Sequence, residues 1–382
     1  MRRSFKPRAH AGPDTAAPQS PEPFMPSPAP VGYTSTQTAA PASVVPETVP
    51  PAPSERDPVR REPAPAARRL PRIFACLYAP LYWAGFIGVA AWWVGERGGS
   101  PWWLPPLLLL AIAVSTLAER YRPYRAHWNR DAGDGRRDIA HALVNESLNI
   151  IGLAAIPLLA AALPWAGVWP TQAPFALQLL GAILIADLGL TAMHMASHRY
   201  RPLWRLHAVH HSVTRMYGFN GLMKHPLHQM IEAAAGVVPL LLLGMPATVA
   251  AVLAFAIAIQ LQLQHSNVDM RLGPLRRVFA WAPLHRFHHI KYGTSGDVNF
   301  GLFFNLWDRL SGTAFDHPQY PLDSHDLGIG SQPDYPGGYR AQLLEPFRDR
   351  PSQPVPPTPP GLPRPRETAT AADAASARSA KD

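Results

Sequence analysis

The sequence predicts an all-α, polytopic integral-membrane protein: a helical bundle in the bilayer, a cytoplasmic histidine-rich helical cap, and disordered Pro/Ala-rich tails. Three observations predict this class. Long apolar blocks fill the middle of the chain, more than half of its 45 prolines lie in residues 1–68 and 349–382, and histidines gather in short boxes where apolar blocks end. Apolar blocks of about 17 residues or more are typical of membrane spans, whereas Pro-rich polar segments bury too little surface to fold.

Composition divides the 382 residues into four predicted parts. Residues 1–68 and 349–382 are the tails, residues 69–134 hold two spans and a basic loop, and residues 135–348 form the domain with the histidine boxes. The formal net charge is +9, but the arginines flank apolar segments, so membrane topology explains them better than nucleic-acid binding does. The single cysteine excludes disulfides within the chain and disfavours thiolate metal ligation.

Four apolar stretches are predicted to be membrane-spanning helices, at about 73–94, 102–118, 139–163 and 175–193. Each is long enough to cross a bilayer at about 1.5 Å per residue. Basic residues are frequent in the N-terminal tail, in the 119–137 loop and after Arg199, whereas the 95–101 and 164–174 loops are nearly uncharged. The positive-inside rule therefore places both termini and the histidine boxes in the cytoplasm, and we expect a bacterial-type inner membrane.

A fifth apolar region runs from Ile231 to Leu263 and is interrupted at Gly244-Met245-Pro246. Its halves are short for a bilayer, so either two tilted spans or a hairpin that enters and returns is predicted. The region from Met270 to about residue 348 is amphipathic and rich in aromatic residues. We predict that it forms the cap over the histidine boxes.

The boxes themselves predict a metal site. They read His194-x3-His198, His207-x2-His210-His211 and His285-x2-His288-His289. On a helix, residues three or four positions apart share a face, so each box is predicted to aim its imidazoles at a common point. Neutral imidazole is a ligand for iron, zinc and copper. Eight imidazoles exceed what one tetrahedral ion needs, which indicates two metal ions, either iron or zinc.

The order of these motifs resembles the fatty acid hydroxylase/sterol desaturase superfamily of integral-membrane non-haem di-iron oxygenases. His265-Ser266-Asn267 stands between the second and third boxes, and Asn299-Phe300-Gly301 and Trp307-Asp308-Arg309 follow the third. The resemblance covers roughly residues 135–315. It implies two iron ions, O2 as co-substrate, and oxidation of an unactivated lipid C–H bond at the cytoplasmic membrane face. The ligands that it implies are His194, His198, His207, His210, His211, His265, His285, His288 and His289.

Two positions depart from the family pattern. Leu261 stands where some hydroxylases carry a further histidine, and His228 stands at a usually acidic position of a His-Pro-x-Glu motif. We therefore predict His225 as a tenth ligand that supplies the missing imidazole. His228 is the weaker candidate, since a surface pair with Glu232 explains it equally well.

Three polar residues are predicted to support the ligands. Asp187, seven residues before His194 on the same face of the fourth span, is expected to accept a hydrogen bond from a ligand histidine, with a loop arginine as the alternative partner. Asn267 and Asn299 are expected to hydrogen-bond a ligand or a metal-bound water, with helix or turn capping as the alternative. Trp307 and Asp308 are expected to be structural, and no catalytic residue is predicted beyond the metal site.

The predicted function is hydroxylation of a fatty acyl or sterol-like lipid, with desaturation or ether-lipid oxidation as alternatives on the same site. A zinc-dependent membrane hydrolase or a metal transporter is the alternative from another class. The hydrolase lacks its H-E-x-x-H motif, and a transporter is expected to carry more ionisable residues than Asp187 within its spans. No flavin, haem or iron–sulfur motif is recognisable, so a separate electron donor, a ferredoxin or a reductase, is implied.

Overall fold

A computed structural model describes residues 65–162 and 167–362. The predicted tails fall outside these residues, except for residues 65–68 and 349–362. Within the described part the chain is helical and contains no β-strand, as the sequence predicts. An apolar helix hydrogen-bonds its own backbone, so the helix is the form in which such segments enter a bilayer.

Seven longer helices form the body of the protein. They are α1 (Pro65–Ala90), α2 (Leu104–Tyr121), α3 (Gly135–Ala162), α4 (Phe175–Arg199), α5 (Arg201–His211), α6 (Pro226–Leu242) and α7 (Ala247–His265). Among the described residues, five segments are long and apolar enough to cross a membrane, and they contain α2, α4, α7 and most of α1 and α3. The four predicted spans are therefore confirmed, and the chain is an integral-membrane protein.

The interrupted apolar region forms two separate helices. α6 ends at Leu242, and α7 starts at Ala247 after a turn in which Gly244 has a φ of +82°. A left-handed φ is a conformation that glycine adopts without the steric cost of a side chain. α6 has 17 residues and is shorter than the five candidate spans.

α4 and α7 lie at the centre of the bundle, and α6 packs closely on α4. The most apolar window of α7 is 78% buried, against 22% for that of α2. A Cβ atom at Gly189 of α4 would lie 2.2 Å from the carbonyl oxygen of Ala235 in α6. Small residues at such crossings let two backbones approach closely, as is common between membrane helices. This crossing brings the end of α4, with His194 and His198, close to the start of α6.

The cap follows α7. It consists of irregular chain with short helices α8 (Ala282–His285), α9 (Leu306–Ser311) and α10 (Tyr339–Leu344) and several single 3₁₀ turns. Asp308 is fully buried, and its carboxylate accepts hydrogen bonds of 2.7 Å from the backbone N–H groups of Phe300 and Gly301. The expectation that Asp308 is structural is confirmed.

The packed chain continues beyond the predicted tail boundary at residue 349. The Gln353 N–H group donates to the Ser331 carbonyl at 2.9 Å, the Ser295 and Thr358 hydroxyls lie 3.1 Å apart, and Leu362 is buried. Residues 349–362 are therefore part of the cap, because their extended backbone and a few apolar side chains find partners that composition does not reveal.

Candidate metal centre

Nine histidines converge beneath the cap from four parts of the chain. His194 and His198 lie near the end of α4, and His265 is the last residue of α7. α5 supplies the second box, and α8 with the turn after it supplies the third. The nine are the histidines of the three boxes and the histidine of His265-Ser266-Asn267, and they fall into two clusters.

Cluster 1 contains five histidines: His194, His198, His207, His211 and His288. The Nε2 atoms of His194 and His207 are 3.0 Å apart, those of His207 and His211 are 3.1 Å apart, and those of His198 and His211 are 3.2 Å apart. Four of these residues are buried, and His198 is partly exposed as a residue although only 7% of its side chain is exposed. The five nitrogens therefore face one small volume.

Cluster 2 contains four histidines, all buried: His210, His265, His285 and His289. The Nε2 atoms of His210 and His265 are 3.3 Å apart, and those of His285 and His289 are 3.1 Å apart. The two clusters adjoin, since the rings of His211 and His289 stack with centroids 4.6 Å apart. Nitrogens bound at about 2.1 Å to one ion lie about 3.0–3.4 Å from each other, so both clusters have the dimensions of a metal site.

The hydrogen bonds of the outer ring nitrogens fix the direction of the lone pairs. Nδ1 of His194, His210 and His288 donates to the carbonyl oxygens of Phe300, Met223 and Val298 at 2.8, 2.9 and 2.8 Å respectively. A carbonyl oxygen only accepts, so Nδ1 carries the proton and Nε2 turns its lone pair into the cluster.

Burial keeps the imidazoles neutral. It lowers the pKa of His210 to about 3 and holds the pKa of His211 and His288 well below its ordinary value. His288 Nε2 is buried without a hydrogen-bond partner. Converging neutral nitrogen lone pairs repel one another unless a cation lies between them, and metal binding requires neutral imidazole. The donor set therefore fits two metal ions of the imidazole-binding class.

The division of the boxes corrects one prediction. We expected each box to aim its imidazoles at one point, but the second and third boxes each supply both clusters. His207 and His211 enter cluster 1 while His210 enters cluster 2, and the third box divides in the same way. Successive helical residues are about 100° apart, so the adjacent pair His210-His211 points in two directions.

With this geometry in place, comparison with known proteins identifies the family. A family model described as fatty acid hydroxylase matches residues 179–313, which include all nine clustered histidines. The ornithine lipid hydroxylase OlsE of Rhizobium tropici is 36% identical over 248 residues, which are 63% of this chain and 74% of that protein. The chain belongs to the fatty acid hydroxylase family.

Relatives of lower identity have other activities. The human alkylglycerol monooxygenase is 27% identical over 151 residues, 40% of this chain and 32% of that protein. A Delta(7)-sterol-C5(6)-desaturase of Nicotiana tabacum is 30% identical over 138 residues, 35% of this chain and 48% of that protein. No solved structure matches this chain. The family and its members identify the chain as an oxidoreductase that acts on lipids.

His225 lies outside both clusters, contrary to its prediction as a tenth ligand. Its Nδ1 accepts a hydrogen bond from the Leu227 N–H group at 3.2 Å, and its Nε2 lies 3.1 Å from the Leu343 carbonyl oxygen. It is the N-cap of α6, a position that requires an acceptor. His228 instead lies beside cluster 1, with its ring centroid 4.6 Å from that of His207, although its Nε2 is 2.9 Å from the Ser197 hydroxyl.

Within residues 65–162 and 167–362, Asp187 hydrogen-bonds no ligand histidine and no arginine, so neither expected partner is observed there. Its carboxylate accepts hydrogen bonds from the backbone N–H groups of Leu302, Phe303 and Phe304 at 2.8–3.2 Å, and from Trp307 Nε1 at 3.0 Å. Phe300 lies in the same part of the chain, and its carbonyl oxygen accepts the hydrogen bond that His194 Nδ1 donates. Asp187 thus acts on His194 through the backbone of the cap.

Asn267 and Asn299 are also structural rather than bonded to a ligand. Asn267 pairs with the backbone of Arg125, its Oδ1 accepting at 3.0 Å and its Nδ2 donating at 2.9 Å. Asn299 Nδ2 donates to the carbonyls of Leu284 and Phe315 at 2.9 and 2.8 Å. Both side-chain amides hydrogen-bond backbone groups that are distant in sequence. The local motifs could therefore not predict these partners.

Two side chains that orient ligands were missed at the sequence level. His265 Nδ1 lies 3.0 Å from Asn220 Oδ1, and His198 Nδ1 lies 2.9 Å from Asp297 Oδ1. A second-sphere acceptor fixes the ring and raises its basicity. Asp297 lies shortly after the third box, so its position in the sequence could have marked it as a partner of a ligand. Asn220 lies in a loop with no pattern that marks it.

Two cavities meet at the centre. A chamber of about 30 Å³ touches both clusters through His194, His207, His210 and His285. A cavity of about 240 Å³ extends between α3, α6 and α7 and is lined mainly by Leu, Ile, Val, Ala and Gly. They share five lining residues: Leu190, Lys224, Glu232, Leu261 and Leu302. An apolar space inside the bilayer region thus leads to the histidines.

Lys224 lies beside a third group of possible metal ligands, which contains two histidines and a glutamate. His207, His228 and Glu232 also place ligand atoms within 4.8 Å of one another. However, the Lys224 ammonium forms an ion pair with Glu232 Oε2. A fixed cation at this carboxylate opposes the binding of a metal ion there, so we assign two metal sites and not three.

Proposed function

We propose that this enzyme is a non-haem di-iron oxygenase that uses O2 to hydroxylate a C–H bond of a membrane lipid at the cytoplasmic membrane face. The observation that carries the proposal is the pair of all-imidazole clusters at the inner end of an apolar cavity. The nine clustered histidines are the proposed iron ligands. Zinc has no redox chemistry, so the oxidoreductase relatives favour iron.

Bound iron supplies the activation of O2, with the balance R–H + O2 + two electrons + two protons giving R–OH + H2O. The protein holds the substrate in the apolar cavity, where Leu190, Leu261 and Leu302 line the approach to the clusters. The carbonyls of Phe300, Met223 and Val298 keep three imidazoles in the ligating tautomer. The small chamber has room for only about two water-sized molecules, which limits competing reactions.

Ornithine lipid is the first substrate to test, because the relative that shares 36% identity is an ornithine lipid hydroxylase. Desaturation and ether-lipid oxidation remain the same-site alternatives, since a sterol desaturase and an alkylglycerol monooxygenase match a smaller part of the chain at lower identity. The zinc hydrolase and transporter alternatives are set aside, because the family acts by lipid oxidation.

We further propose that a separate ferredoxin or reductase delivers the electrons near Trp204. The Trp204 ring lies 5.0 Å from that of His198 and 5.3 Å from that of His211. Beside it, a surface cavity of about 130 Å³ is lined by Arg201, Arg205, Arg348 and Arg350, with Glu345 among them. A basic rim of this kind suits an acidic electron carrier.

The test combines metal content with turnover. Protein from iron-replete cells is assayed for iron and zinc per chain and for ¹⁸O incorporation from ¹⁸O2 into ornithine lipid with a reducing system. We expect about two irons per chain, and loss of iron and of labelled product in His207→Ala and His288→Ala. His225→Asn is the matched control, because it keeps a capping acceptor outside both clusters and is expected to retain both irons. One zinc per chain, or no lipid-dependent O2 use, contradicts the proposal.

A further inference from the structure

An ion pair stands where the two cavities meet. Lys224 and Glu232 are 8% and 5% exposed, and the Lys224 ammonium contacts Glu232 Oε2. Both side chains line the small chamber at the histidines and also the apolar cavity. A Glu232 oxygen lies within 4.8 Å of ring nitrogens of His207 and His228. Any group bound to this pair is therefore adjacent to a proposed iron ligand.

Stability does not explain the pair. Removing two charges from water costs several kcal/mol per ion, and apolar residues of similar size are often as stable or more stable. Ionisable groups at membrane depth are costly and usually serve a function. Metal binding does not explain it either, because Lys224 itself is a cation. The position of both side chains in the lining of the two cavities favours contact with the substrate.

The pair has unused hydrogen-bonding groups. Among the described residues, Lys224 Nζ donates only to Glu232, so two of its three N–H groups are free, and Glu232 Oε1 accepts no hydrogen bond. The backbone of Lys224 is fixed, since its carbonyl accepts from His141 Nδ1 at 2.9 Å and from Asn145 Nδ2 at 3.1 Å. The pair thus offers the cavities a donor on a fixed backbone position and an acceptor.

The lining of the cavities determines which end of a lipid binds there. The outer rim of the apolar cavity includes Gly152, Ala234 and Val238, which are exposed on α3 and α6, so acyl chains have access from the bilayer. An acyl chain end pushed against Lys224 and Glu232 would desolvate two charged groups without replacing their hydrogen bonds. A polar lipid end replaces those hydrogen bonds while its chains remain in the apolar cavity.

We propose that the Lys224–Glu232 pair binds the polar end of the substrate, specifically a group that carries both an ammonium and an oxyanion, so that oxidation occurs near this end. The ammonium contacts Glu232 Oε1 and the oxyanion contacts the free N–H groups of Lys224. This inference rests on the proposed lipid hydroxylase function and adds the class of lipid and the region oxidised. An amino-acid head group and a phosphoethanolamine head group share this chemistry.

The test uses three probes with the same dodecanoyl chain: N-dodecanoyl-ornithine, lyso-phosphatidylethanolamine and methyl dodecanoate. Binding to the purified full-length protein in detergent is measured by calorimetry, with and without iron. We expect at least one zwitterionic probe to bind about tenfold or more tightly than the methyl ester, as charge-assisted hydrogen bonds provide. The two zwitterionic probes distinguish the amino-acid source from the phospholipid source.

The decisive variant removes both charges together, Lys224→Met with Glu232→Leu, because removing one leaves an unpaired buried charge. We expect this variant to lose the preference while it retains methyl ester binding and the iron content of the unmodified protein. The matched control is Arg276→Met with Asp316→Leu, an ion pair of 2.9 Å on the surface, which is expected to keep the preference.

Equal affinity for the three probes, or an unchanged preference in the double variant, overturns the inference. Mass spectrometry of the product adds a second readout, since hydroxylation at the distal end of an acyl chain also overturns it while leaving the hydroxylase function intact. If the preference is present but the protein holds no iron and oxidises no lipid, the binding inference stands and the proposed function fails.

Discussion

The two histidine clusters have the same ligand type but different surroundings. Cluster 2 has four buried imidazoles, and two of them line the inner chamber. Cluster 1 has five imidazoles, and three of them line a surface cavity of about 260 Å³ on the side of Trp204. The two sites therefore differ in ligand number and in access to the surface, although all their ligands are imidazoles. We infer that cluster 2 holds its ion in a closed site, whereas cluster 1 exchanges electrons and ions with the surface.

Removal of one ligand from each cluster tests this asymmetry with the largest expected effect. His265→Ala leaves cluster 2 with three imidazoles and is expected to lower iron from about two to about one per chain and lipid oxidation by about 100-fold or more. His198→Ala removes the cluster 1 ligand that lies beside the 43% exposed Asp297, where water can take its place, and is therefore expected to retain both irons, unlike the loss of the more enclosed His207 or His288. Iron analysis and ¹⁸O incorporation measure both effects. Equal iron loss in the two variants contradicts the asymmetry.

The acceptors behind the ligands provide a smaller test of the same comparison. Asn220→Ala removes the partner of His265 in a fully buried place, and we expect iron affinity to fall by about 10–100-fold. Asp297→Ala removes the partner of His198, where Asp297 is 43% exposed and water can replace it, so a smaller loss is expected. Competition with a calibrated chelator measures both affinities.

Asn267→Ala is the control for the Asn220 variant. Asn267 is equally buried and holds the loop at Arg125, but it contacts no clustered histidine. It is expected to lower thermal stability without a specific change in iron affinity. If it weakens iron binding as much as Asn220→Ala does, the effect of Asn220 is structural and not a matter of orienting His265.

The sequence predicts the ligands better than their arrangement. Apolar block lengths place α1 to α4, and the box spacing identifies eight of the nine histidines that the structure brings together, while the family resemblance adds His265. The division of the second and third boxes between the two clusters depends on helix rotation in three dimensions. The partners of Asp187 lie more than 100 residues away in sequence, so no local sequence pattern predicts them. His225 was misassigned because its motif also satisfies the N-terminus of a helix.

Chelation kinetics give a third test of access. Under a membrane-impermeant chelator, we expect the ion of cluster 1 to leave about tenfold faster than that of cluster 2, because only cluster 1 borders the surface cavity among the described residues. Iron release followed by absorbance should then show two phases of equal amplitude. Closing the cavity with Thr294→Trp, at an exposed residue of its lining, should slow the fast phase alone, whereas a single phase contradicts the difference in access.

The smallest expected effect concerns electron delivery to cluster 1. Arg201→Ala with Arg205→Ala removes two charges beside Trp204, and each exposed charge contributes about 0.2–1 kcal/mol, so turnover with a protein donor at low salt should fall by only a few-fold. The difference should vanish at high ionic strength, where such attractions are screened. Turnover with dithionite should be unchanged, because a small reductant needs no docking surface. Arg276→Ala, on another surface, is the control and should behave as the unmodified enzyme does. An equal decrease with dithionite would mean that these arginines support the fold of the cap and that the donor docks elsewhere.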